Sequence, residues 1–330
     1  MDLLTQGVIG AALAQSASKE SETRLATGVG FAAGLLADAD ALIYSSSDTL
    51  LTIEYHRHFS HALFFIPFGA LLATLILWPL LRNRIGFGRL YLFSLLGYSL
   101  SGVIDACTSY GTHLLWPFSD ERFAFHLISI VDPIFTLTLI TFVVIAFRKR
   151  LRKAAHVGLV LAACYLGLGF VQLQRAESAI EQLAESRGHT PARLIAKPTF
   201  GNILLWRSIY EHDGRFYVDA VRVGLIEKNY EGDSIARYTI DGNATSVLQK
   251  DIQRFNTFSD GYIAVQPLNY NALVDVRYSI QPDGLAPLWG IEFDPEQPEQ
   301  HARFTVYRNL TKANRQRFFS MLAGKNVDRL

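Results

Sequence analysis

Cysteine and charge are scarce in this chain. Only two cysteines occur in 330 residues, Cys107 and Cys164, and both lie inside apolar runs. They make no disulfide framework and no paired-cysteine metal knuckle. Charged residues are 18% of the chain, against about a quarter in an average soluble protein. A net charge of +1 leaves no concentrated basic face, so nothing points to nucleic acid as a partner. An apolar content of 50% and a mean hydropathy of +0.18 exclude a disordered or fibrous protein. The C-terminal half also lacks a nucleophile elbow, a phosphate-binding glycine loop and any repeated unit.

The charge that is present is unevenly spread. Residues 1–173 carry 12 Lys/Arg and 11 Asp/Glu, whereas residues 174–330 carry 19 of each. Eight of the first 12 basic residues cluster in two places: Arg82, Arg84 and Arg89, then Arg148, Lys149, Arg150, Arg152 and Lys153. Runs of spanning length flank both clusters. A helix rises about 1.5 Å per residue and a bilayer core is about 30 Å thick, so a span needs roughly 20 apolar residues. Four stretches qualify: about 61–81, 90–112, 128–147 and 155–173. Two weaker ones, 3–17 and 25–43, are short or rich in Gly and Ala. Their small residues suit close helix contacts within a bundle, as partly inserted or re-entrant helices. A cleaved signal peptide is not expected, since Asp2 stands where a basic n-region belongs and the first basic residue is Lys19.

The fold expected is an α-helical membrane bundle of about four full spans plus two short N-terminal helices, followed by a mixed α/β, strand-rich soluble domain. Its divisions fall at 1–173, a stalk helix at 174–190, and a soluble domain at 191–330. The positive-inside rule places both basic loops in the cytoplasm. Residues 174 onward then lie outside it, in the periplasm of a double-membraned bacterium. In the soluble part, Asp213–Gly214 between alternating runs reads as a hairpin. YIAVQ, VDVRYSI, LWGIEF and ARFTVYR read as strands, and about 311–323 as a terminal helix.

Ionisable residues within or beside spans are costly and therefore candidates for function. Five of nine histidines (His56, His58, His61, His113, His126) fall within 56–126, and Asp38, Asp40, Asp105, Asp120 and Asp132 share the same outer end of the bundle. Asp38 and Asp40 close a helix where the macrodipole disfavours acids, which a bound cation or a solvated turn would relieve. His56 and His61 are five apart, not the four of a zincin helix. Arg57 could snorkel to headgroups as part of an interfacial cap. Asp105 lies deepest and needs a partner, either a ligand or a pairing within the bundle. Asp132 beside Pro133 fits a helix cap. His113 and His126 have no distinctive spacing.

Together, MDLLTQGVIGAA, GLLADADAL, HRHFSHALFF, DACTSYGTHLLWPFSDERF and IVDPIFT resemble the bacterial YdjM-type inner-membrane family, described as membrane-bound metal-dependent hydrolases. The resemblance covers about residues 1–150. AKPTFGNILLWR and APLWGIEFD look like the C-terminal extension of a long-chain subset. The resemblance marks Asp38, Asp40, His56, Arg57, His61, Asp105, Asp120 and Asp132. Ser101 stands where many members have a histidine one turn before the aspartate, and Gln6 stands where some have histidine.

The resemblance implies divalent metal held by Asp38, Asp40, His61 and Asp105. Zinc is favoured by the mixed ligands, with manganese or magnesium as alternatives. His56, Arg57 and Asp120 are the catalytic candidates: His56 or a spare carboxylate as base, and Arg57 for a phosphate or other anion. Membrane lipids are expected partners, with a small-molecule or lipid substrate. The alternative is a non-catalytic envelope protein with a structural Asp/His network and a partner-binding C-terminal domain.

Overall fold

The computed structural model describes residues 1–240, 242, 244–308 and 310–328. The chain forms two compact units. The first comprises Met1–Ile43, Tyr55–Val171 and Phe200–Asn202; the second comprises Tyr44–Glu54, Gln172–Thr199 and the chain from Ile203.

In the first unit, α1 (Leu3–Ser16) is capped by Asp2, whose carboxylate accepts from the Thr5 amide. This helix packs along α2 (Thr23–Leu36) with the backbones touching. A Cβ built at Gly10 would stand 2.5 Å from the Gly30 carbonyl oxygen. That contact explains the small residues noted in both segments. The α2 helix does not stop short. A 3-10 turn, Ala37–Leu42, extends it to a 20-residue apolar element, Thr23–Leu42, long enough to cross a bilayer. The expectation of a partly inserted helix at 25–43 is corrected on this point of length.

The short helix α3 (Leu51–Tyr55) and two 3-10 turns, Phe59–His61 and Leu63–Phe65, lead into α4 (Ile66–Leu81). Next, α5 (Phe87–Ser99) and α6 (Ser101–Ala106) meet at Leu100 and together give the apolar stretch Phe87–Ala106. The helix expected at 128–147 begins later, as α7 (Pro133–Lys149). Pro133 pre-sets its first turn, and Asp132 accepts from the amides of Ile134 and Phe135. It is 17 residues long, one more than α4. The long helix α8 (Arg152–Ser186) merges the last span and the stalk into one element. Among the described residues, four helical stretches thus have spanning length and composition: Thr23–Leu42, Leu63–Leu81, Phe87–Ala106 and Arg152–Ser186.

Packing fixes which helix ends meet. Ala26 and Val29, at the start of α2, pack with Leu77, Leu81 and Ile85. At its other end Ala37 packs with Ala70, Tyr98 and Phe65. The end of α2 therefore meets the start of α4 and the end of α5, gathering the acids and histidines at one end of the bundle. Buried side-chain pairs hold the helices laterally, such as Thr5 with Thr136 at 2.6 Å and the Gln15 amide on the Val143 carbonyl.

The second unit holds two antiparallel sheets. In the first, β1 (Arg193–Pro198), β2 (Leu205–His212), β3 (Arg215–Val223) and β4 (Glu227–Tyr230) pair in sequence order, and β5 (Ser234–Ala236) also pairs β3. The second sheet runs β6 (Ile263–Gln266), β7 (Asn269–Asp275), β8 (Trp289–Glu292) and β9 (Arg303–Val306). His212 faces Arg215 across Asp213–Gly214, both at positive φ, as the hairpin reading requires. One expected strand shifts: the chain is extended over Asn269–Asp275, and VDVRYSI contributes only its first two residues. The helices are α9 (Val247–Phe258) and α10 (Lys312–Leu322), the latter within a residue of the expected terminal helix.

Candidate metal centre

Three segments bring ligand-type side chains together. The 3-10 turn after α2 carries Asp38 and Asp40. The loop before α4 carries His56 to His61, and α6 carries Asp105. Arg57 bends this loop by adopting a left-handed backbone (φ 62°), uncommon for a residue other than glycine. In that conformation its amide donates to Asp40 Oδ2 at 2.7 Å. Gly102 lets α6 approach from the other side, since any Cβ there would lie 1.9 Å from the His61 carbonyl oxygen. Tyr98 donates from its hydroxyl to the Ser60 carbonyl at 2.6 Å, pinning the loop to α5.

His61 is at the centre and is 1% exposed. Its Nδ1 faces Ser60 Oγ at 3.0 Å and Asp40 Oδ2 at 3.2 Å. Ser60 itself donates to Asp40 at 2.7 Å, so its oxygen can accept from the ring. Two acceptors at Nδ1 assign the proton to that nitrogen. The opposite nitrogen, Nε2, faces Asp105 Oδ2 at 3.1 Å and Asp38 Oδ1 at 3.5 Å. His61 Nε2, Asp105 Oδ2 and Asp38 Oδ2 are buried without a hydrogen-bond partner among the described residues. Ligand atoms of Asp38, His61 and Asp105 all lie within 4.8 Å of one another. Around a tetrahedral ion with bonds of about 2.0–2.2 Å, neighbouring ligands stand ~3.4 Å apart. The donor set and its spacings fit a divalent cation. Carboxylates backed by an imidazole whose far nitrogen bonds a further carboxylate are a common arrangement around such ions.

The remaining expected residues are placed as follows. Asp40 stands on the Nδ1 side of His61, where it orients the ring, and it also meets His56 Nδ1 at 3.2 Å. His56 is the open edge of the group, its side chain 28% exposed. Arg57 is buried and turned inward. Its guanidinium meets Asp105 Oδ2 at 3.1 Å, Thr108 Oγ1 at 3.1 Å and the Met1 carbonyl at 3.3 Å. The Met1 ammonium pairs with Asp105 Oδ1. Asp120 is exposed on the loop after α6, outside the triad, and neighbours His113. Burial, with Arg122 nearby, pulls the His113 imidazole down to about 4, so it is neutral at pH 7. Asp132 caps α7 and accepts from the Tyr165 hydroxyl at 3.0 Å. Ser101 donates back to the Tyr98 carbonyl at 2.7 Å.

Sequence reasoning missed Ser60, Tyr98, Gly102 and Thr108, which set the geometry without being ligand types. Ser60 and Thr108 carried a signal, lying inside the HRHFSH and DACTSYG phrases.

Fold and site together define a helical membrane protein with a buried Asp/His group able to hold a metal ion. The model of the YdjM inner membrane protein family matches residues 1–176, and the chain belongs to that family. Comparison with curated proteins and with solved structures finds no match.

Proposed function

We propose that this protein is a membrane-bound metal-dependent hydrolase, with Asp38, His61 and Asp105 as ligands and Asp40 as the group that orients His61. One observation carries the reading: buried ligand atoms of Asp38, His61 and Asp105, from three separate segments, all lie within 4.8 Å of one another. A bound divalent ion, zinc by ligand type or else manganese or magnesium, supplies a water acidic enough to act as nucleophile near neutral pH. His56, at the open edge and bonded to Asp40, is the group placed to take a proton. Arg57 balances the charge of Asp105 and fixes the ligand carboxylate. The substrate class is a lipid or lipid-linked phosphoester, because the group lies at the end of the helices where headgroups lie. The outer face of the cytoplasmic membrane follows from the basic loops at 82–89 and 148–153.

The test is elemental analysis of the detergent-purified protein beside release of product from phosphoester substrates. About one equivalent of metal is expected, lost in His61→Ala and Asp105→Asn but retained in Asp120→Asn. Less than about a tenth of an equivalent, unchanged by His61→Ala, ends the hydrolase reading. It would favour the second one, a structural network in a non-catalytic envelope protein. A specific observation supports that alternative: Asp105 already pairs with both the Met1 ammonium and Arg57.

A further inference from the structure

Between Lys153 and Arg175, α8 carries no Asp, Glu, Lys or Arg. Those 21 residues rise about 31 Å, the thickness of a bilayer core. Arg175 therefore marks the level at which the helix leaves the hydrocarbon. At that level the helix holds the turn between β3 and β4. Gln172 donates to the Val223 carbonyl at 2.8 Å, and Arg175 donates to the Gly224 carbonyl at 2.7 Å and to that of Val223 at 3.3 Å. From the strand side, Arg222 donates to the Ile226 carbonyl at 3.3 Å.

The turn then presents two aliphatic side chains with nothing over them. Leu225 is 107% and Ile226 80% exposed. Single exposed aliphatic residues are ordinary on a protein surface. Two adjacent ones at a hairpin tip, bound to a transmembrane helix at its point of exit, are a different case. Side chains bond the tip carbonyls of Val223, Gly224 and Ile226, which is what a loop needs before it can leave water. The guanidinium of Arg175 supplies a cation at phosphate depth.

We propose that the β3–β4 tip, Leu225–Ile226, inserts into the headgroup–acyl boundary of the same bilayer that α8 crosses. The second unit is then attached to the membrane at two points, the helix and the tip, rather than by the helix alone. The proposal holds for either orientation of the chain and does not depend on the metal centre.

The experiment uses the full chain with both native cysteines replaced by alanine, reconstituted in phosphatidylcholine vesicles. An environment-sensitive fluorophore is attached at Leu225→Cys, and separately at Asp213→Cys. Asp213 lies at the other end of β3, about 30 Å away along a nine-residue strand. Equal melting temperatures for the two labelled proteins establish that both are folded. Blue-shifted emission at position 225 is expected, quenched at least about twofold more than at position 213 by lipids brominated near the headgroup. Water-like emission at 225 without quenching overturns the proposal. A blue shift that brominated lipid does not quench also overturns it, since a protein surface rather than lipid would then cover the tip.

Discussion

A methyl group at position 102 would sit 1.9 Å from the His61 carbonyl oxygen. Because that atom is backbone, the loop must move to admit it. Gly102→Ala should therefore cost about 1–3 kcal/mol as overpacking and displace the His61 ring from Asp105. The check is a fall in melting temperature together with loss of bound metal. A variant with unchanged melting and metal would show that α6 and the loop are not keyed by this contact. Lys197 gives a prediction of opposite sign. Burial holds its amine well below the usual lysine range, with Arg277 and Arg207 adding repulsion. The Nζ lies 3.0 Å from the Tyr278 ring centroid and donates to the Arg277 carbonyl. Between the lowered folded value and about 10.4, the unfolded chain binds a proton that the folded one does not. Stability therefore rises with pH through that window and levels off above it. Lys197→Met should raise the melting temperature at pH 7.5 and flatten this rise, by about 2–4 °C per kcal/mol recovered. Melting curves from pH 7 to 10 decide it, and an unchanged slope would refute the account.

Among the elements, legibility followed the strength of the local signal. The apolar runs that became α4, α5 and α8 needed only a count of uncharged residues. The Asp213–Gly214 hairpin was readable because its turn requires two residues that tolerate positive φ. By contrast α9 was not anticipated, although Ser246 and Gln249 form a capping box and Leu248, Ile252 and Phe255 share its buried face. The short strands β4 and β5 carry no usable alternation, and their position is set by pairing with β3. The candidate metal centre was legible as residue types but not as positions around the imidazole. Asp40 meets Nδ1 of His61 while Asp38 meets Nε2, and both acids sit on a 3-10 turn, where residues two apart stand about 120° apart around the axis rather than about 160° as on an α-helix.

On the scale of the whole molecule, the arrangement predicts sidedness. The loops at 82–89 and 148–153 carry eight basic residues, against Arg122 alone in the connection between α6 and α7. The spanning length of Thr23–Leu42 changes where the N-terminus lies but not these later loops. An alkaline phosphatase fused after the last residue should be active, and a green fluorescent protein fused there should be dark. The reverse pattern would put the second unit in the cytoplasm and remove the periplasmic substrate from the proposal, while leaving the ligands in place.

Asp38, His61 and Asp105 come from three separate segments, and the first and last are 67 positions apart. At about 5–20 residues per second, synthesis takes several seconds to pass from one to the other. During that interval the acid after α2 and the imidazole before α4 have already been made, while the carboxylate that completes the group has not. The bundle is thus born with unmet polarity inside an apolar phase. Assembly of this group thus has a defined last event, the arrival of α6.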